Sequence, residues 1–336
     1  MIHSKLLTAT LFLFLLTACS GDRNETTETV STRVVEVTAL HDHDTNEHMF
    51  QLSSDEISSG WTTFQFQNAS PYDHFLVIYK VPDEGIAAAK AANEPLLEHW
   101  FEGVTVPFQM EYNPYVNGDI DYGQFVDNLV ASIMEKGPWF FDPGAPPMGG
   151  PGFTAAGLTS VTTVFLESGE YILECYVKNE GEVFHSYIGM LEHLTVTDDS
   201  SSNEEPTATI SMNISSTDGI QVDQELNAGS HVVEITFEDQ TSYEHLLGHN
   251  VQLVKLKDKE NEELLSRLAS WMDWRQKGSL VNRAPGGAIF MGGTMEMTKG
   301  GVAYFHVDLE PGDYAWIAEI PNPAVHGMLK TFTVSE

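Results

Sequence analysis

The chain has 336 residues, room for two ordinary domains. Against 16 Lys and Arg stand 49 Asp and Glu, a formal net charge of −33, so its own field repels phosphates and no nucleic-acid partner is expected. Hydrophobic residues at 42%, with 18 Phe, 11 Tyr and 6 Trp, exclude a disordered acidic chain, and 2 cysteines exclude a disulfide scaffold.

At the N-terminus Lys5 precedes an apolar run from Leu6 to Leu16, which is short of the ~20 residues a bilayer span needs and has the layout of a secretory signal. Leu16-Thr17-Ala18-Cys19 resembles the bacterial lipobox, which implies cleavage before Cys19 and a lipid on its thiol. Ser20 and Gly21, with no Asp at the second position, resemble lipoproteins held at the periplasmic face of an outer membrane. Residues 1–18 are therefore expected to be a signal peptide and 19–32 a tether. With Cys19 lipidated, Cys175 is the one remaining thiol: a buried spectator, a reactive group or a metal ligand.

Next in the chain, His41-Asp42-His43-Asp44, with His48 soon after, reads as a solvated lead into the first strand. Alternation puts His41 and His43 on one side, which makes them weak secondary metal candidates. Thr62 to Asn68 alternates apolar and polar residues, and Phe75 to Tyr79 suits a buried strand. Gly85–Trp100 and Gln124–Lys136 carry helical spacing. The Gly- and Pro-rich stretch from Pro138 to Gly152 marks an ordered loop, with Trp139, Phe140 and Phe141 covering the core or forming a docking patch. A turn at Gly169-Glu170 introduces a strand whose two-residue period places Tyr171, Leu173, Cys175 and Val177 on the inner face and Glu174 on the other.

Asp198 to Pro206 has no apolar residue and reads as an acidic linker. Beyond it the pattern returns. Val233–Asp239 matches Thr62–Asn68, His249–Lys255 matches His74–Lys80, and Leu309–Ala318 aligns without gaps with Leu166–Cys175. A helical insertion recurs at Leu264, Leu265, Leu268, Trp271 and Met272. The expected architecture is all-β: two tandem Greek-key β-sandwiches, residues 33–197 and 207–336, joined by 198–206, each with a helical insertion.

Asn68 to His74, then Gly169 to Cys175, then His185-Ser-Tyr-Ile-Gly189-Met190 resembles the ligand order of the cupredoxins, the small blue copper proteins. The resemblance implies a Greek-key sandwich holding one copper through His74, Cys175, His185 and Met190. Four residues separate His185 from Met190, as in plastocyanin-like members, and nine separate Cys175 from His185, close to the long loop of copper nitrite reductases. Thiolate, two imidazoles and a weak axial thioether suit copper in both oxidation states. In the second repeat Ala318 takes the cysteine position and His326-Gly327-Met328 loses the spacing; His249 persists, with His245 nearby, so His249 is a weak secondary candidate in a degenerate site. Glu174 stands where those reductases carry a His, and no Ser-His-Asp set or phosphate loop is present, so no enzyme is expected. The implied role is electron transfer or copper handling with an unidentified redox or copper-handling protein partner. The alternative is a metal-free binding or scaffold lipoprotein.

Overall fold

The computed structural model describes residues 34–42, 44–45 and 47–336. The expected signal peptide, the Cys19 lipidation site, the tether and His43 lie outside the described residues.

The first half contains β1 (Val34–His41), β2 (His48–Leu52), β3 (Glu56–Asn68), β4 (Val77–Lys80), β5 (Thr159–Leu166), β6 (Gly169–Glu174) and β7 (Leu191–Ser200). The second contains β8 (Ile210–Ser215), β9 (Gly219–Val222), β10 (Gly229–Phe237), β11 (Val251–Leu256), β12 (Ala288–Thr294), β13 (Val302–Leu309), β14 (Gly312–Ile317) and β15 (Leu329–Val334). Helices α1 (Asp83–Ala92), α2 (Leu96–Trp100), α3 (Val106–Asn117) and α4 (Tyr122–Lys136) are inserted between β4 and β5, and α5 (Glu262–Trp271) between β11 and β12. The protein is mostly β, and its sheets form sandwiches, as the sequence pattern requires.

Alternation along β3 turns Phe64 and Phe66 inward. At Gly60, with φ +126°, the strand changes partners: Glu56–Ser59 pairs with β7, and the remainder pairs with β1 and β5. Only glycine fits there, because an added Cβ would strike Ser201. One β3 strand thus serves both layers of a sandwich, whose shared core includes Val35, Phe64 and Val164 from one layer and Tyr171, Leu173 and Leu194 from the other. The pairing scheme then recurs. β8 runs parallel to β10 as β1 does to β3, and β11–β14–β15 repeats β4–β6–β7.

The halves meet edge to edge where β5 pairs antiparallel with β13. Tyr304 lies opposite Thr163 and His306 opposite Val161. Extended back from Leu166 and Leu309, the sequence match equates Val161 with Tyr304 and Thr163 with His306, so the seam has local two-fold character. The acidic segment after β7 is pinned along this sheet: Ser201 N–H donates to Ser59 O (2.7 Å), Asn203 Nδ2 to Trp61 O (2.8 Å) and Tyr304 Oη to Glu205 (2.6 Å).

The helical insertion is larger than its sequence pattern indicates. α4 follows its apolar spacing, with Phe125, Leu129 and Ile133 buried and a reciprocal cap between Asp121 and Gln124. α3 carries Pro107 and Pro114, which argue against a helix in sequence; Pro107 falls in the first turn, where its missing N–H costs nothing. A π-helical turn, Phe101–Thr105, joins α2 to α3. Trp139 is buried against Trp100 at a ring separation of 5.5 Å, whereas Phe141 is exposed, so the Pro138 loop mainly covers core.

A buried polar knot ties the insertion, the first sandwich and the second half together. Lys178 Nζ donates to Glu182 Oε2 (2.7 Å), Tyr112 Oη (2.6 Å) and Trp274 O (3.0 Å). Its loss leaves Glu182 buried without a counter-charge. Lys178→Met is expected to destabilise the protein by about 3–5 kcal/mol, with Lys178→Met/Glu182→Gln regaining part of the loss, as read by denaturant unfolding.

Candidate metal centre

His74 ends a loop that Asn68 organises, its Nδ2 donating to Tyr72 O (2.6 Å) and Thr154 O (2.7 Å). Tyr72 N–H donates to Ser70 Oγ at 3.1 Å, and Ser70 Oγ lies 2.7 Å from His74 Nε2. That contact turns His74 Nδ1 toward His185 and Cys175. Cys175 lies just past β6 and is fully buried. Its amide donates to Met190 O (3.2 Å), and Met190 N–H donates to His185 O (2.9 Å), so the buried Met190 borders both.

The nine residues between Cys175 and His185 form a paired excursion. His185 N–H donates to Val177 O (2.8 Å), and Lys178 pairs with Phe184. The base of this ribbon returns His185 beside Cys175. Outside it, Phe184 N–H donates to Gln109 Oε1 on α3 (2.8 Å), and Lys178 N–H donates to Leu280 O in the second half (2.7 Å).

The outcome is a tight group. His74 Nδ1 lies 3.2 Å from His185 Nδ1 and 3.6 Å from Cys175 Sγ. Metal–nitrogen bonds of about 2.0–2.1 Å and a metal–sulfur bond of about 2.3 Å at trigonal angles put such donors about 3.5 and 3.7 Å apart. The donor set fits a copper ion, because two imidazoles and a thiolate with a methionine nearby is the combination that soft, weakly axial copper sites use.

His48 is the addition that sequence spacing does not supply. His48, His74 and His185 offer ligand atoms within 4.8 Å of one another. The His48 ring stacks on His185 with centroids 3.8 Å apart and an interplanar angle of 15°. Both its ring nitrogens are buried without a partner. It arrives through the β1–β2 hairpin, which pairs His41 with His48 and sets their rings 4.5 Å apart. Gly189, at φ +119°, permits the approach, since a Cβ there would collide with the His48 carbonyl. Cross-strand pairing, not alternation along one strand, therefore decides which histidine of the cluster reaches the site.

Burial keeps the ligands neutral. It draws His48 down to about 4, and it holds His74 and His185 well below the imidazole range. Burial also pushes the Cys175 thiol up to about 12, so a metal binding here displaces the thiol proton.

In the second half, Ala318 N–H donates to Met328 O (3.0 Å), reproducing the Cys175–Met190 contact without a thiol. The Tyr243 hydroxyl lies 3.3 Å from His249 Nδ1 and 3.9 Å from Met328 Sδ, filling the space between the remaining donors.

Glu174 points away from Cys175, as its alternation requires, into a region that also holds Glu296 and Glu319. Tyr176 Oη and Asn250 Nδ2 donate to Glu319 Oε2 at 3.0 and 3.3 Å, whereas Glu296 Oε2 and Glu319 Oε1 are buried without partners. Sequence reading does not find this group, because its members lie far apart in the chain.

No family model and no curated protein matches this sequence. Among solved structures, auracyanin B is similar at 16% identity over 40% of this chain and 93% of its own, TM-score 0.26. Auracyanin A, a "blue" copper protein from the green thermophilic photosynthetic bacterium Chloroflexus aurantiacus, is similar at 16% identity over 49% of this chain and 98% of its own, TM-score 0.25. A copper-containing nitrite reductase from Thermus scotoductus SA-01 is similar at 9% identity over 90% of this chain and 61% of its own, TM-score 0.20. At such scores the likenesses set neither the fold nor the chemistry of this chain.

Burial raises Glu296 to about 8 from the ordinary 4.5. A folded-state value above the unfolded one contributes stability that is fully present below about 4.5 and is lost as pH rises through about 8. The midpoint of thermal unfolding of the metal-free protein should therefore fall as pH rises between about 4.5 and 8, and Glu296→Gln should flatten that limb; an unchanged slope counts against the buried acid.

Proposed function

We propose that this chain is an exported, lipid-anchored, cupredoxin-like protein that carries one copper ion in its first half and passes electrons or copper to a protein partner. The carrying observation is that His74 Nδ1 lies 3.2 Å from His185 Nδ1 and 3.6 Å from Cys175 Sγ. Copper bound there would cycle between its two oxidation states. His74, Cys175 and His185 would hold it, with Met190 as the weak fourth donor. Ser70 fixes the His74 ring, and the Val177–His185 pair fixes the His185 side. A rigid donor set changes little between oxidation states, which favours fast electron transfer.

The same reading takes the chain as a tandem duplication whose second half, lacking the cysteine, serves as a structural buttress. It takes the protein as a carrier and not an enzyme, since Glu174 offers no imidazole beside Cys175. It places the protein at the periplasmic face of a bacterial outer membrane through Cys19.

The test is an absorption spectrum after addition of Cu(II). The parent is expected to show an intense visible thiolate-to-copper band at one copper per chain, absent in Cys175→Ser. No band, with equal weak binding by both proteins, would sink the copper reading and favour a metal-free scaffold. His48→Ala is expected to keep the band while a chelator strips copper about tenfold faster, because the ring stacked on His185 no longer covers it.

A further inference from the structure

Behind the Cys175 strand lies a partly enclosed cavity of about 60 Å³, bordered by Glu174, Tyr176, Phe184, Ser186 and Trp274. Tyr79, Phe108, Phe140 and Leu247 also border it, and the same four line a wider groove of about 710 Å³. Glu296 opens onto that groove. Among the described residues neither space is lined by Lys or Arg. Glu174 is half-buried, borders the cavity and interacts with Ser186 and Trp100. Glu296 is 4% exposed, and its Oε2 lacks a partner; Glu174 is near enough for its charge to act on Glu296. A half-buried and a buried carboxyl group with no Lys or Arg in the lining, walled by aromatic rings, form an environment in which a cation stabilises the ionised acids.

We infer that this space binds a small organic cation, a primary ammonium on a short apolar or aromatic stem, with the ammonium between Glu174 and Glu296 and the stem along Tyr79, Phe108 and Phe140. Aromatic faces attract an ammonium through their quadrupoles, and a desolvated carboxylate adds a direct ion pair. The inner cavity has room for a few heavy atoms, which suits a primary ammonium head better than a bulky one. A metal ion is the weaker occupant: among the described residues only His48, His74 and His185 bring three ligand atoms together. The chain's net charge of −33 steers cations toward it and repels anions. Glu174 and Ser186 adjoin Cys175 and His185 in sequence, so an occupied cavity lies one residue from the proposed copper ligands. The inference itself does not need copper.

The test is calorimetric titration of the metal-free full chain at pH 8 with three probes of similar shape: 2-phenylethylamine, 2-phenylethanol and 3-phenylpropanoate. The amine is expected to bind saturably, the alcohol about tenfold more weakly, and the carboxylate not at all. Glu174→Gln and Glu296→Gln should each weaken the amine about tenfold and leave the alcohol unchanged, with far-UV dichroism confirming the fold. Absent amine binding, or an alcohol that binds as tightly, overturns the inference; this comparison uses the parent alone and stands even where a variant misfolds. Amine binding that survives both substitutions overturns it as well. Because the titration contains no copper, a protein that binds the amine but yields no visible copper band would refute only the copper reading.

Discussion

The site depends on how the chain returns from Cys175 to His185. Nine intervening residues would ordinarily let the two side chains drift apart, since a flexible loop of that length is closed only at an entropic cost. Here the cost is met by hydrogen bonds. His185 N–H on Val177 O closes the ribbon at its base, and Lys178 pairing with Phe184 stiffens it. The ribbon is in turn held from outside by Gln109 on α3, by Leu280 O and by the buried Lys178–Glu182 pair against Trp274 O. The helical insertion and the second half are therefore part of what sets donor positions in the first.

Much of this was legible in sequence wherever a short-range period governed it. The inner face through Tyr171, Leu173 and Cys175, the opposite face of Glu174, and the strands around Phe66 and Val77 follow from the two-residue alternation. Four positions resembling a ligand set were legible as a set; in the structure His74 Nδ1 lies 3.2 Å from His185 Nδ1 and 3.6 Å from Cys175 Sγ, and Met190 meets Cys175 and His185 through its backbone. What escaped was fixed by long-range pairing. His48 enters because the β1–β2 hairpin places it opposite His41, a register no pattern within one strand encodes. α3 was hidden because prolines dominate its pattern, although one of them sits where a helix tolerates it. The segment after β7 has linker composition, yet its polar groups bind the sheet they run along.

The chain's acidity has two physically different parts. Most carboxylates are solvated and shape the outer field. Glu174, Glu296 and Glu319 are instead withdrawn from water on the far side of the Cys175 strand, and burial raises all three above the ordinary carboxyl range. Tyr176 of the first half hydrogen-bonds Glu319 of the second at 3.0 Å, so the group also spans the two halves. Buried acids left partly unpaired weaken a fold. Of the three, Glu174 and Glu296 border the aromatic-lined spaces on which the cation proposal rests.

The second half shows what the fold keeps when the chemistry is removed. Ala318 preserves the backbone contact to Met328 that Cys175 makes to Met190, so that contact belongs to the strand ends and not to a metal. The Tyr243 hydroxyl lies against His249 Nδ1 and Met328 Sδ, while His249 Nε2 and His245 Nδ1 stay buried without a partner. In the first half the Ser70 hydroxyl holds His74 Nε2 at 2.7 Å. His74 Nδ1 faces His185 Nδ1 and Cys175 Sγ, and both His48 nitrogens and His185 Nε2 are buried without a partner. Buried ring nitrogens without a partner make the cluster poorly satisfied as a purely structural core. The two halves of one pairing scheme therefore differ at the strand end in a single group, the Cys175 thiol against the Ala318 methyl, and the proposed copper site turns on that difference.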